Sequence, residues 1–129
     1  MGNDAKLLAV VDDDADVRAA LKRLMASAGF HVETYACGAE FLQSIDDHEP
    51  DCLVLDLHTP ELSGFDVQDA LAVGHAAVPV VVITGHDTPQ SRARALKLGA
   101  KSYLCKPVDG EVLLAAIDSA IGGVSAPAP

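Results

Sequence analysis

Residues 7–14 read Leu7-Leu8-Ala9-Val10-Val11-Asp12-Asp13-Asp14, an unbroken apolar run followed at once by three carboxylates. Continuous rather than alternating apolarity marks a strand covered on both faces, as in a parallel sheet. Two more runs have the same form. Leu53-Val54-Leu55 ends in Asp56, and Val80-Val81-Val82-Ile83 ends in Thr84. His31 to Ala36 and Ser102 to Cys105 are weaker strand candidates, and the second of them runs into Lys106-Pro107.

Stretches of helical period lie between these runs. Val17, Leu21, Leu24 and Ala28 share one face of a first helix, with Asp14 as its N-cap and Gly29 as its stop. Phe41, Leu42 and Ile45 mark a short second helix; Val67 and Leu71 mark a third, entered through Ser63-Gly64. Thr88-Pro89 opens a fourth, with Pro at the first helical position, and Gly99 closes it. Asp109 caps a fifth, whose buried stripe is Leu113, Ala116, Ile117 and Ala120 and whose end is Gly122-Gly123. Strand and helix thus alternate five times. That order predicts an α/β fold, a doubly wound five-stranded parallel sheet with helices on both faces.

A chain of 129 residues fits one domain and buries a core without disulfides or structural zinc. Residues 1–122 are read as that domain and 123–129 as a linker-like tail. The three cysteines, Cys37, Cys52 and Cys105, show no metal-binding or disulfide spacing, and with no secretory leader they predict a reducing cytoplasm. The longest apolar runs have strand length, too short for a membrane span. The formal net charge of −10 would repel phosphate backbones, so direct nucleic-acid binding is not expected. Charge is also unevenly placed. From Leu24 to Ser91 there is no Lys or Arg, against eleven Asp and Glu. Among the bases outside it, the clusters Arg18, Lys22 and Arg23 and then Arg92, Arg94, Lys97 and Lys101 read mostly as solvated helix faces.

In an open parallel sheet the functional site lies beyond the carboxyl ends of the strands. Four strand ends here would deliver Asp12, Asp13 and Asp14, then Asp56, then Thr84, then Lys106 to one edge. Taken singly each residue has a bland explanation: Asp14 as a helix cap, Thr84 as a turn residue, Lys106 as a solvated base. Together they match one chemistry, phosphoryl transfer to a carboxylate. Crowded carboxylates call for a cation, and Mg²⁺ takes one or two of them with waters and phosphate oxygens. Asp12, Asp13 and Asp56 supply such ligands. An aspartate nucleophile forms an acyl phosphate, and a nearby lysine offsets the charge on the transferred group. Lys106 suits that task, and the Thr84 hydroxyl would donate a hydrogen bond to the arriving phosphoryl oxygen.

The set Val10-Val11-Asp12-Asp13-Asp14, Leu55-Asp56-Leu57-His58-Thr59-Pro60 with Gly64, Ile83-Thr84-Gly85 and Tyr103-Leu104-Cys105-Lys106-Pro107 resembles the receiver domain of bacterial two-component response regulators. The resemblance covers about Lys6 to Ile121. It implies the flavodoxin-like strand order 2-1-3-4-5 and a phosphorelay signalling function, not a metabolic enzyme. It implies Asp56 as phosphoacceptor and Mg²⁺ held by Asp13, by Asp12 through water, by Asp56 and by the His58 backbone carbonyl. Lys106 would pair with the phosphoryl group, and Lys106-Pro107 would be cis. Thr84 and Tyr103 would form a switch in which the hydroxyl moves to the phosphoryl group and the ring turns inward, altering the surface of the fourth helix, fifth strand and fifth helix. His58 and His86 would border the path of water to an acyl phosphate. The implied partners are a sensor histidine kinase or a phosphotransfer protein, a second copy on phosphorylation, and an output domain beyond Pro129. Thr59 and Gly85 depart from the family's usual Met and Ala.

Three other readings compete, one of them a degenerate receiver that only binds partners, against which every chemical position is filled. A phosphohydrolase of the haloacid dehalogenase type also uses an aspartate nucleophile with Mg²⁺, Thr and Lys, but it needs an acid two residues on, where this chain has His58. A dinucleotide-binding module needs a GxGxxG turn after a strand, and none is present.

Overall fold

The computed structural model describes residues 5–59 and 61–122. In chain order the elements are β1 (Leu7–Val11), α1 (Ala15–Ser27), β2 (His31–Tyr35), α2 (Gly38–Ser44), β3 (Cys52–Asp56), α3 (Gly64–Gly74), β4 (Val80–Thr84), α4 (Pro89–Lys97), β5 (Ser102–Cys105) and α5 (Gly110–Gly122). All neighbouring strands pair in parallel, in the order β2-β1-β3-β4-β5. The order reverses between β1 and β3, so the loops after these two strands diverge and leave a crevice at the carboxyl edge.

Alternation along each strand splits the core into two layers. Leu8, Val10, Cys52, Val54, Val81 and Ile83 face α1 and α5, where Leu21, Met25, Leu113 and Ile117 meet them. Ala9, Val11, Leu53, Leu55, Val80 and Val82 face the other helices and pack on Phe41, Val67, Leu71 and Ala95. Each such buried Leu, Ile or Phe contributes about 1.5–3 kcal/mol relative to an exposed one. This two-sided burial explains the continuous apolar runs.

Local caps set the helix boundaries. Asp14 accepts hydrogen bonds from the amides of Asp16 and Val17 at the start of α1. Ser63 and Asp66 form a reciprocal capping box on α3, and Thr88 caps α4 ahead of Pro89. Asp109 accepts from the amides of Glu111 and Val112. Gly29 and Gly99 follow α1 and α4 with φ of 97° and 106°, a region L-residues rarely enter.

Four sequence expectations need correction or trimming. Ala28 is the exposed C-cap of α1, not part of its buried face. Met25, one turn beyond Leu21, fills the core instead and is wholly buried. β2 stops at Tyr35, one residue short of Ala36, and β3 runs one residue further to include Asp56 itself. Gly123, the tail 123–129 and Pro60 lie outside the described residues. All three cysteines are free thiols, and burial pushes the Cys52 thiol up to about 12, so it behaves as a small apolar core residue. Among the described residues no helix is long and apolar enough to cross a membrane.

Candidate functional site

The β1–α1 turn holds Asp12 from several sides. Its amide donates to the Tyr35 carbonyl of β2 at 3.1 Å, and its Oδ1 accepts from the Asp14 amide at 2.9 Å. Arg18 reaches back from the first turn of α1 and donates from Nη1 to the Asp12 carbonyl oxygen at 2.7 Å. Arg18 is therefore not the solvated base its sequence context predicts. Its spacing of four residues after the Asp14 cap, one helical turn, is the sequence signal that it faces the turn.

Asp56 ends β3 with only 3% of its surface exposed. Its Oδ1 accepts from the His58 amide at 3.1 Å, which leaves Oδ2 facing Lys106 Nζ at 3.2 Å. The same ammonium lies 2.9 Å from Asp12 Oδ2. That oxygen is buried and, apart from this ion contact, has no hydrogen-bond partner. Burial raises the Asp12 carboxyl above the usual carboxylate range, more than the neighbouring Lys106 lowers it. Burial pulls Lys106 down, but Asp12 and Asp56 together outweigh it and hold the ammonium above its ordinary value.

Carboxylate oxygens of Asp12, Asp13 and Asp56 all lie within 4.8 Å of one another. Unit charges about 4 Å apart near a protein surface repel by about 4 kcal/mol. One ammonium facing three carboxylates leaves the edge short of positive charge. A set of three hard carboxylate oxygen donors gathered at one edge fits a small divalent cation such as Mg²⁺.

Thr84, the last residue of β4, is wholly buried, and its Oγ1 accepts from the His86 amide at 3.0 Å. Its carbonyl accepts from the Lys106 amide at 2.8 Å, tying the ends of β4 and β5 together. The Lys106–Pro107 bond is cis. Tyr103 lies one strand over from Thr84, with its ring already inward and 6% exposed. Its hydroxyl is buried without a hydrogen-bond partner, and burial followed by the nearby Asp87 carboxylate pushes the phenol up. The guanidinium of Arg92 stands 5.3 Å from the Tyr103 ring centre. The His58 and His86 rings, from the loops after β3 and β4, meet edge to face at 5.1 Å.

The sheet edge thus gathers Asp12, Asp13, Asp56 and Lys106, with Thr84 on the adjoining strand end. Asp14 stays with the helix cap. Sequence reasoning missed Arg18 and also Gln68, a buried amide on α3 whose flanking Val67 and Leu71 gave no sign of a polar contact.

A doubly wound sheet with a lysine-bridged acidic cluster at its switch point defines a class of small α/β signalling domains. The chain belongs to the response regulator receiver domain family, whose sequence profile matches residues 8–118. It is 36% identical over 121 residues to the response regulator protein TodT of Pseudomonas putida, covering 94% of this chain and 53% of that protein. It is 43% identical over 98 residues to the transcriptional regulatory protein PrrA of Mycobacterium tuberculosis, covering 76% of this chain and 42% of that one. The crystal structure of a response regulator receiver domain protein from Clostridium thermocellum superposes with a TM-score of 0.86 at 29% identity, covering 92% of this chain and 95% of that one. The chain spans about half the length of the curated relatives it matches. Family membership makes it a signalling domain and not a metabolic enzyme.

Proposed function

We propose that the chain accepts a phosphoryl group on Asp56 in a Mg²⁺-dependent reaction and relays that event as a change of surface. The observation that carries this reading is the placement of Asp56. It is a buried carboxylate at a strand end, with one oxygen met by Lys106 at 3.2 Å and two further carboxylates within 4.8 Å. Asp56 Oδ2 attacks the phosphorus of a phosphohistidine. The P–N bond breaks, an acyl phosphate forms, and the histidine leaves with its electron pair and takes up a proton.

Asp13, Asp12 and Asp56, whose carboxylate oxygens lie together, would hold Mg²⁺ with the His58 backbone carbonyl, and the ion would supply positive charge against the phosphoryl oxygens. Lys106 swings from Asp12 to a phosphoryl oxygen, a move that keeps its ammonium paired throughout. Thr84 Oγ1 turns to donate a hydrogen bond to the group. Its present role as acceptor for His86 leaves its proton available. Tyr103 occupies the space behind it, and the surface of α4, β5 and α5 carries the change outward. The rings of His58 and His86, in edge-to-face contact, would border the path of water to the acyl phosphate and would either orient that water or obstruct it.

The donor is a sensor histidine kinase or a phosphotransfer protein. An apolar groove of about 400 Å³ beside Lys106 and Pro107, walled by Val17, Ala20 and Leu21 of α1, gives such a partner a seat next to Asp56. Residues 1–122 act as the receiver unit in the cytoplasm and 123–129 as a linker. The readout passes to an output domain, in keeping with relatives about twice as long. No observation favours the haloacid dehalogenase reading, since His58 supplies no acid two residues after Asp56.

Intact mass after incubation with a small-molecule phosphodonor and Mg²⁺ tests the proposal. A gain of one phosphoryl group, lost without Mg²⁺ and in Asp56→Asn, is expected. Uptake unchanged in Asp56→Asn would overturn it.

A further inference from the structure

Among the described residues outside the site, Gln68 is the one buried polar side chain that bridges two helices; only 2% of it is exposed. Its Nε2 donates to the Ala95 carbonyl of α4 at 3.0 Å, whereas its Oε1 is buried with no partner. We propose that Gln68 is a positioning residue that pins the C-terminal end of α4 and makes Ala95 the pivot about which α4 moves when Asp56 is phosphorylated. The second half of this statement rests on the phosphorylation reading above; the first half does not.

The two ends of α4 are held very differently. Ala95 is the only buried residue of α4. Its carbonyl accepts from Gln68 and also from the Ala100 amide at 3.0 Å, in the turn that Gly99 closes. The Leu98 amide bonds the Arg94 carbonyl at 2.9 Å, and the Arg94 guanidinium sits 4.3 Å from the Phe65 ring centre of α3. The N-terminal residues Pro89, Gln90, Arg92 and Ala93 are exposed, and the contact of Arg92 with Tyr103 is the lone ring contact there. That end follows directly on the Thr84–His86 turn, where a phosphoryl group would act.

Gln68 is fixed in its turn. It lies one turn from Gly64, where an added Cβ would come 2.7 Å from Leu57 Cα and 2.9 Å from the Asp56 carbonyl oxygen. α3 is therefore seated directly on the acceptor loop and offers a rigid base. An attachment through one side-chain hydrogen bond to one carbonyl tolerates rotation of α4 about that point, while the end of α4 stays in place.

Hydrogen exchange of the unphosphorylated protein tests the pin. In Gln68→Met, which keeps the length and loses the donor, the amides of Leu98 and Ala100 should exchange about tenfold faster while α3 and α5 are unchanged. Equal exchange in both proteins would overturn the pin. Nuclear magnetic resonance of the wild type gives a reading that needs no variant. The Gln68 side-chain NH₂ should exchange slowly and show a cross-peak to the Ala100 amide; fast exchange overturns the proposal. With Mg²⁺ and beryllofluoride bound, the changes within and just beyond α4 in wild type should fall on residues 88–94 and should spread through 95–100 in Gln68→Met. Changes that already cover all of α4 in wild type would overturn the pivot. Failure of beryllofluoride to bind would count against the phosphorylation reading and leave the pin to be judged by the first two measurements.

Discussion

Lys106 shows most sharply how one residue sets the state of the site. It is the sole ammonium against Asp12 and Asp56, both almost fully buried, at 2.9 and 3.2 Å. Removing one partner of a buried ion pair leaves an uncompensated charge and destabilises by about 3–5 kcal/mol. Lys106 is itself one-quarter exposed, so the lower end applies. Lys106→Met is therefore expected to lower unfolding free energy by about 3 kcal/mol in urea without divalent cations. Millimolar Mg²⁺ should restore part of that loss, because the cation takes over the compensation that the ammonium gave. A variant as stable as wild type, or one that Mg²⁺ leaves unmoved, would show that the carboxylates do not depend on a cation at this edge. Tyr103 limits what the site changes on activation. Its ring is already buried, so the exposed N-terminal turn of α4 is the part with room to move.

Among the elements, the α2–β3 connection and the end of α3 are joined by His75. Its Nδ1 meets Glu49 Oε2 at 2.7 Å and its Nε2 meets Asp46 Oδ1 at 2.9 Å. Both ring nitrogens can donate only in the imidazolium, so the clamp is complete only with the proton on. The hydrogen bond to Glu49 and then that to Asp46 raise His75 above its ordinary value. A raised folded-state pKa gives stability that is full below the unfolded value, about 6.5, and is lost as pH rises through the folded one. The stability difference between wild type and His75→Gln, from urea midpoints, should thus be largest near pH 6 and fade at higher pH. A difference that is flat or grows with pH would exclude the clamp. This contact was not legible in the sequence, because its members lie 26 and 29 residues apart in loops without period. The strands were legible for the opposite reason. β1, β3 and β4 are buried on both faces, so their character is written in consecutive residues. Asp12, Asp13, Asp56 and Thr84 were legible because each directly follows or ends such a run, whereas Lys106 follows the weaker pattern of β5. Helix faces were less so: in α1 the stripe through Ala28 fits the period, but the helix stops at Ser27 and Met25 takes the core position. Gln68 and Arg18 were misjudged because periodicity reports burial and not which backbone oxygen a polar group will meet.

At the scale of the whole molecule, charge is unevenly distributed along the chain. All five histidines and eleven acids lie between Leu24 and Ser91, a stretch without Lys or Arg, while α4 carries Arg92, Arg94 and Lys97. α5 and its cap carry Asp109, Glu111 and Asp118, and large apolar side chains stand exposed beside these charges, Leu96 on α4 and Val112 on α5. Two copies joined across a two-fold axis would set α4 of one against α5 of the other. Arg92 and Arg94 already lie over the Tyr103 and Phe65 rings, which fixes their direction without neutralising them. Against this stands a charge of −10 on each copy. Screening decides between the two. The screening length is about 30 Å at 0.01 M salt, 10 Å at 0.1 M and 3 Å at 1 M. At the lowest salt the net charges repel across the whole dimer; near 0.1 M only contact pairs remain felt; at 1 M those are weakened too. Sedimentation with Mg²⁺ and beryllofluoride should therefore show association that rises from about 0.01 to 0.1 M salt and falls again towards 1 M. A steady rise to the highest salt would mean that Leu96 and Val112 hold the copies together without the ion pairs, and a monomer at every salt concentration would exclude the α4–α5 dimer while leaving phosphorylation of Asp56 untouched.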